Sequence, residues 1–296
     1  MESGTQAHTP RWEDRAKFQL IEVVAFWEGR LTTRHLMDAF GLSSRTTASQ
    51  LVKRYRELAP GNLEYCHQTK GYWPTDGFTR IFSRGDVGEY LSLLSQHAGL
   101  NPDFSSISNH FSAPTEQISA PHRAVRPEVV RKVVEATQNK QRLEVIYRSQ
   151  TSPLGEERII SPHTLVFADS RWHVRAWCEK HRDFRDFVLT RFVDEPQLEG
   201  PRLPDGDPAL DNLWQERIEV IFTPNPALPE AQRLLIAGDY AMSDNLQLRI
   251  NCRKALVTYL LLSMNVHLDE SRFEPPAHPL VVLNKDEVES VSFGAQ

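Results

Sequence analysis

Residues 159–192, IISPHTLVFADSRWHVRAWCEKHRDFRDFVLTRF, alternate apolar and polar side chains with a period of two, which predicts short β-strands. Successive residues of a strand point to opposite faces of the sheet. Arg171, His173 and Arg175 therefore share one face, and Trp172, Val174, Ala176 and Cys178 share the other. In the next run Arg185 and Arg191 fall in one parity with the apolar Phe187 and Leu189 between them, opposite Phe184 and Val188. The polar stretch 179–183, EKHRD, predicts the hairpin loop that joins the two runs. A sheet with an apolar underside and a row of cations above it predicts a receptor for an anion. Like charges two and four residues apart repel unless something negative compensates them. The local acids Asp169, Glu179, Asp183 and Asp186 can do so as well, which would leave the arginines as the solvated side of a half-buried sheet.

A chain of 296 residues has room for two or three domains, each with its own core. Its 40% hydrophobic and 25% charged residues are ordinary for a water-soluble protein. Cys66, Cys178 and Cys252 lie far apart in no metal-like spacing, which points to reduced thiols and a cytoplasmic location. The polar start MESGTQAHTP lacks the apolar stretch of a secretion signal. No apolar run has the length of a membrane span, and the longest, 255–264, reads as a buried helix. A net charge of -5 excludes a uniformly basic surface but not a local basic patch.

Near the N-terminus, Phe18, Ile21, Val24 and Ala25 mark a helical stripe over 11–27, stopped by Gly29. Leu31 and Leu36 flank a Thr32 N-cap as a hydrophobic staple, opening a second helix that ends at Gly41. Ser43 reads as the cap of a third helix, 44–58, with Ala48, Leu51, Val52, Tyr55 and Leu58 inward. Two helices joined across the few residues around Gly41 have helix-turn-helix spacing. The outward face of the third begins with Ser44, Arg45 and Thr46 and continues through Ser49, Gln50, Lys53, Arg54 and Arg56. Small polar residues and an arginine at the start of a helix suit base edges, and the later cations suit phosphates. Short strands at 63–67 and 71–74 around Gln68-Thr69-Lys70 add a wing tipped by Lys70. The predicted partner is double-stranded DNA. Residues 1–80 carry 11 Lys and Arg against 9 Asp and Glu, a slight basic excess in an acidic chain.

A short helix over 89–97 leads into a Ser-, Pro- and Asn-rich linker at 101–120. Pro127 starts a helix over 128–138, which feeds a strand at 142–149 with Leu143, Val145 and Tyr147 on one face. Prolines and glycines between 196 and 208 mark a second boundary. Beyond it, strands at 217–222, 245–252 and 288–293 and helices at 229–237 and 254–264 predict a small α/β sandwich.

The stretch SPHTLVFADSRWHVRAWCEKHRDFRDFVLTRF resembles a WYL domain, an Sm-like small β-barrel of bacterial transcription regulators. Trp172-His173-Val174 stands where that family has Trp-Tyr-Leu. FGLSSRTTASQLVKRYRELAPGNLEYCHQTKGYWP and GEYLSLL are similar to phage-defence-associated repressors of the BrxR and CapW type, and the resemblance covers nearly the whole chain. It implies an α+β multidomain protein. The winged helix-turn-helix would occupy 1–98, a linker and connecting helix 99–138, the WYL barrel 139–196, and a C-terminal α/β dimerisation domain 197–296. It implies a homodimer on a palindromic operator, controlling a phage-defence operon. The WYL barrel would sense an anionic effector, a nucleotide or oligonucleotide. The family's basic pocket falls on Tyr147, Ser161, His163, Arg171, His173, Arg175, Arg185 and Arg191; of these, strand periodicity supports the Arg171, His173 and Arg175 row independently.

Other functions leave different marks. Catalysis would call for an HExxH, GxSxG, Walker, GxGxxG or CxxC pattern, and the chain has none. His163 and His173 lack a paired carboxylate or nucleophile motif, so neither an enzyme, a metal nor a cofactor is expected. An RNA- or single-strand-binding Sm-like module shares the cationic face, and an activator of the same architecture shares every feature above.

Overall fold

The computed structural model describes residues 12–99, 123–269, 275 and 277–292. The stretch read as a linker, 101–120, and the N-terminal segment 1–11 lie outside the described residues. The chain divides into two compact units, with the boundary between Ala120 and Pro121.

In the first unit, α1 (Trp12–Glu28), α2 (Thr33–Phe40) and α3 (Arg45–Leu58) precede a hairpin of β1 (Leu63–Cys66) and β2 (Gly71–Pro74), and α4 (Val87–Gly99) follows. The α1 stripe folds inward, leaving Phe18, Ile21, Val24 and Ala25 fully buried. The Thr32 N–H donates to His35 Nδ1 at 2.9 Å to cap α2, and Leu31 and Leu36 close the staple in the core. Gly41, at φ 61°, ends α2 and lets the Leu42 N–H bond back to the Met37 carbonyl at 2.9 Å. The cap of α3 is Ser44 rather than Ser43, because it is the Ser44 hydroxyl that accepts from the Thr46 N–H, at 3.2 Å. Ala48, Leu51, Val52 and Tyr55 are buried as expected. Leu58 is 44% exposed, and Ala59 takes the inward place at the helix end.

The wing gains a third rung where Leu31 bridges Tyr72. Glu22, fully buried on α1, ties the chain beyond the wing to the helices. It accepts from the backbone N–H groups of Ile81, Phe82 and Ser83 at 2.9, 2.8 and 2.7 Å and from the Tyr55 hydroxyl at 3.2 Å. Four donors replace the water a buried carboxylate would otherwise lose. The expected helix at 89–97 lies within α4, which buries Leu94 in this same core.

The second unit begins with α5 (Pro127–Gln138), packed on a five-stranded sheet. Its strands are β3 (Gln141–Tyr147), β4 (Glu156–Ala168), β5 (Arg171–Cys178), β6 (Asp183–Val188) and β7 (Gln197–Pro201), all antiparallel in the order β6-β5-β4-β3-β7. The Sm-like resemblance implies a closed barrel, but the edge strands β6 and β7 do not pair, so the sheet is open. Val129, Val133 and Ala136 of α5 cover one face, meeting Leu143, Val145, Tyr147, Val174, Ala176 and Phe187.

The other face is covered too. Segment 204–215 lies over it, with the Gly206 Cα so near Ser161 that an added Cβ would sit 2.9 Å from the serine side chain. The expected solvent-facing row of cations is therefore corrected: His173 and Arg175 are 3% and 4% exposed. Trp172, expected on the apolar underside, is 48% exposed at the end of the β4–β5 hairpin, where it meets Phe167.

The C-terminal portion contains α6 (Asn212–Gln215), β8 (Arg217–Pro224), α7 (Glu230–Asp239), β9 (Leu248–Arg253), α8 (Val257–Ser263), β10 (Leu280–Val282) and α9 (Lys285–Glu289). Its sheet has the order β10-β8-β9. The strand expected at 288–293 is absent from its described residues, 288–292. Lys285–Glu289 is helical, with acidic Asp286 and Glu287 in its first turn, and the apolar Leu280–Val282 pairs with β8 in its place.

Candidate functional site

On α3, Arg45, Thr46, Gln50, Lys53 and Arg56 are exposed while the opposite side of the helix forms the core. The helix thus presents a polar, cationic strip that nothing among the described residues of its unit covers. Ser49 is half-buried beside them, and the Ser44 hydroxyl is engaged as the cap. Arg54 pairs with Asp14 at 2.8 Å, which fixes it against α1. Lys70 is exposed at the wing tip with φ 50°. Sequence reasoning passed over Tyr65 and Trp73, 41% and 42% exposed on the wing. Trp73 Nε1 donates to Thr69 Oγ1 at 2.9 Å.

The second unit contains a cavity of about 430 Å³. β5 contributes Arg171, His173 and Arg175; β6 contributes Phe184, Arg185, Asp186 and Val188. The two turns add Asp169 and Arg191, and α8 adds Tyr259 and Leu262. Four arginines face two carboxylates, so the lining is cationic. Five of the eight pocket residues named from sequence are brought together here. Tyr147, Ser161 and His163 are not among the lining. The Tyr147 ring sits in the core against Phe187 and Phe192, its oxygen accepting from the Val188 N–H at 3.0 Å. Ser161 is sealed under Gly206. A bulge between Pro162 and Thr164 in β4 turns His163 toward Asp211, with Nε2 and Oδ2 3.2 Å apart.

The arginines are not equivalent. Arg175 is locked by Asp211, with Nε to Oδ2 at 2.7 Å and Nη2 to Oδ1 at 2.9 Å, and it reaches Asp186 Oδ1 at 3.3 Å. Burial alone would raise the Asp211 pKa, but hydrogen bonds from His163 and Arg175 outweigh it and hold that carboxyl at about 2. Arg171 bonds Asp169, yet among the described residues its buried Nε has no partner. Arg185 lies 3.6 Å from Asp183 at the rim, and among the described residues Arg191 makes no ion pair. His173 Nδ1 is likewise buried without a partner, and burial pushes its pKa below the ordinary imidazole value against the pull of Asp186. Tyr259 donates to Asp186 Oδ2 at 3.1 Å, its ring 5.0 Å from that of His173. Asp211 and Tyr259 escaped the sequence reading. The signal for Tyr259 was a phenol inside an apolar helix, which needs a polar partner.

Residues 13–96 match the BrxR transcriptional regulator winged helix-turn-helix domain, 128–195 the WYL domain, and 217–288 the BrxR transcriptional regulator C-terminal dimerization domain. The DNA-binding transcriptional repressor CapW of Escherichia coli (strain KTE188) is 35% identical over 94% of this chain and 91% of its own length. The chain belongs to the CapW family. The CapW of Pseudomonas aeruginosa is 33% identical over 95% of this chain and 92% of its own, and that of Stenotrophomonas maltophilia 31% over 94% and 92%. Among solved structures, proteasome accessory factor B/C (PafBC) of Arthrobacter aurescens aligns with 98% of the CapW-family chain and 50% of its own, at 15% identity and a TM-score of 0.26, too low to carry an argument. No helix among the described residues is long and apolar enough to cross a membrane.

Proposed function

We propose that this chain is a transcriptional repressor that binds double-stranded DNA as a homodimer and releases it in response to an anionic effector. In this reading 1–98 form the DNA-binding domain, 99–138 a linker and connecting helix, 139–196 the sensor and 197–296 the dimerisation domain. The observation that carries it is the exposed strip of α3, where Arg45, Thr46 and Gln50 precede Lys53 and Arg56. Base-reading groups come first along the helix and phosphate-binding cations follow. The family's repressors, named as DNA-binding, support the same assignment. A palindromic operator follows from the two-fold symmetry of a dimer, since two-fold proteins match two-fold sites. Control of a phage-defence operon rests on the BrxR and CapW resemblance.

The effector site is the cavity floored by β5 and β6, and its occupant is a nucleotide or oligonucleotide. Arg171 and Arg191 are the cations with capacity to spare, whereas Arg175 is committed to Asp211 and Asp186. Tyr147 backs the lining at Val188 and His163 backs it at Phe184. Mobility shifts of the full-length chain on duplex from its own upstream region test the reading. A retarded duplex that resists single-stranded competitor is the expected outcome. Preference for the single strand would replace it with an RNA- or single-strand-binding module.

A further inference from the structure

We propose that Tyr259 is a latch: an anion entering the cavity takes the Tyr259 hydroxyl away from Asp186 and so transmits occupancy to the C-terminal domain. The inference rests on the reading of this cavity as the effector site. The floor of the cavity lies within the WYL match and its wall, α8, within the dimerization match, so one ligand touches both. The Tyr259 hydroxyl bridges the two, donating to Asp186 Oδ2 across 73 positions of sequence. A phenol carries one proton, so it serves Asp186 or the anion but not both.

The exchange opens Asp186 Oδ2 but leaves Oδ1 with Arg175. Asp186 keeps Arg175 at 3.3 Å when Tyr259 departs, so its buried charge stays paired. The cavity also has unmet polar groups on its floor: His173 Nδ1, on a side chain 3% exposed, and Arg171 Nε. An anion seated on them lies beside the Tyr259 ring, which is 5.0 Å from that of His173. A ligand shifts a conformational equilibrium only through unequal contacts with the two states. The hydroxyl supplies that inequality, present toward the ligand in one position of α8 and toward Asp186 in the other.

The test uses the full-length chain, with a 5′-phosphorylated thymidine dinucleotide as probe and two readouts: calorimetric binding and amide exchange over 257–263. In wild type the probe should bind and raise exchange in α8 by about fivefold or more, the lower end of ordinary coupling. In Tyr259→Phe, which keeps the ring, exchange in α8 should already be raised without probe and change less than about twofold on binding. An unchanged probe response in Tyr259→Phe, or a wild type that binds the probe with no change in α8, overturns the latch while the effector site stands. A wild type that does not bind the probe overturns the effector site and the latch with it.

Discussion

Arg175 on β5 and Asp211 at the start of α6 form a bidentate ion pair, at 2.7 and 2.9 Å, with side chains 5% and 2% exposed. The pair welds segment 204–215 onto the face of the sheet that alternation alone would leave to solvent. Asp211 does this while also capping α6, by accepting from the Trp214 N–H at 3.2 Å.

Removing one member strands the other charge in the interior. Asp211→Ala should destabilise the chain by about 3–5 kcal/mol in urea unfolding, and Arg175→Met combined with Asp211→Leu should lose less than the single change. Asp211 is held at about 2 from an ordinary 3.8. A depressed carboxyl contributes stability that is complete above the unfolded value and lost as pH falls through the folded one. The window is therefore about pH 4 down to 2, and the contribution at most about 2 kcal/mol. Asp211→Asn should flatten the stability curve within that window.

Anion binding should strengthen as pH falls. Burial first, then the charge of Arg171 and Arg191, holds His173 below the ordinary imidazole value, against Asp186 and Asp169, while the Tyr259 ring packs on it. A bound anion adds negative charge and raises that value, so binding takes up a proton. Sulfate, whose charge is constant over this range, should bind full-length protein more tightly at pH 6 than at pH 8, and His173→Gln should remove the difference. An equal pH dependence in both proteins would place the proton elsewhere.

On the reading helix the two kinds of contact separate by salt. Lys53→Ala should weaken binding to every duplex alike and reduce the salt slope by about one unit. Arg45→Ala should cost about 1–3 kcal/mol on the cognate site and little on unrelated duplex. Arg54, tied to Asp14 at 2.8 Å, should matter less than either. Fluorescence anisotropy across a salt series distinguishes the three.

The first unit was legible in the sequence because its signals are local. A staple at Leu31 and Leu36, a left-handed Gly41 and the stripe Ala48, Leu51, Val52, Tyr55 each act within one or two turns. The strands of the second unit were legible for the same reason, since period two is a local property. What local pattern could not reveal is what covers a face. Arg175 reads as solvated from its neighbours, and the carboxylate that locks the covering segment onto it, Asp211, is 36 positions away. The strand expected at 288–293 failed similarly, because Leu280–Val282 wins the edge of β8 by register. Glu22 was invisible for the opposite reason: its partners are backbone N–H groups, which carry no sequence signature.

A hydroxyl-radical footprint of the full-length chain on its own upstream duplex, repeated with Arg45→Ala, tests the central claim most directly. Repressor action through α3 of a homodimer predicts two protected segments related by inverted symmetry, with centres about 10 base pairs or a multiple apart. It further predicts that Arg45→Ala loses both segments together at concentrations where wild type protects them. A single unsymmetrical protected segment, or a footprint that Arg45→Ala leaves unchanged, would contradict it.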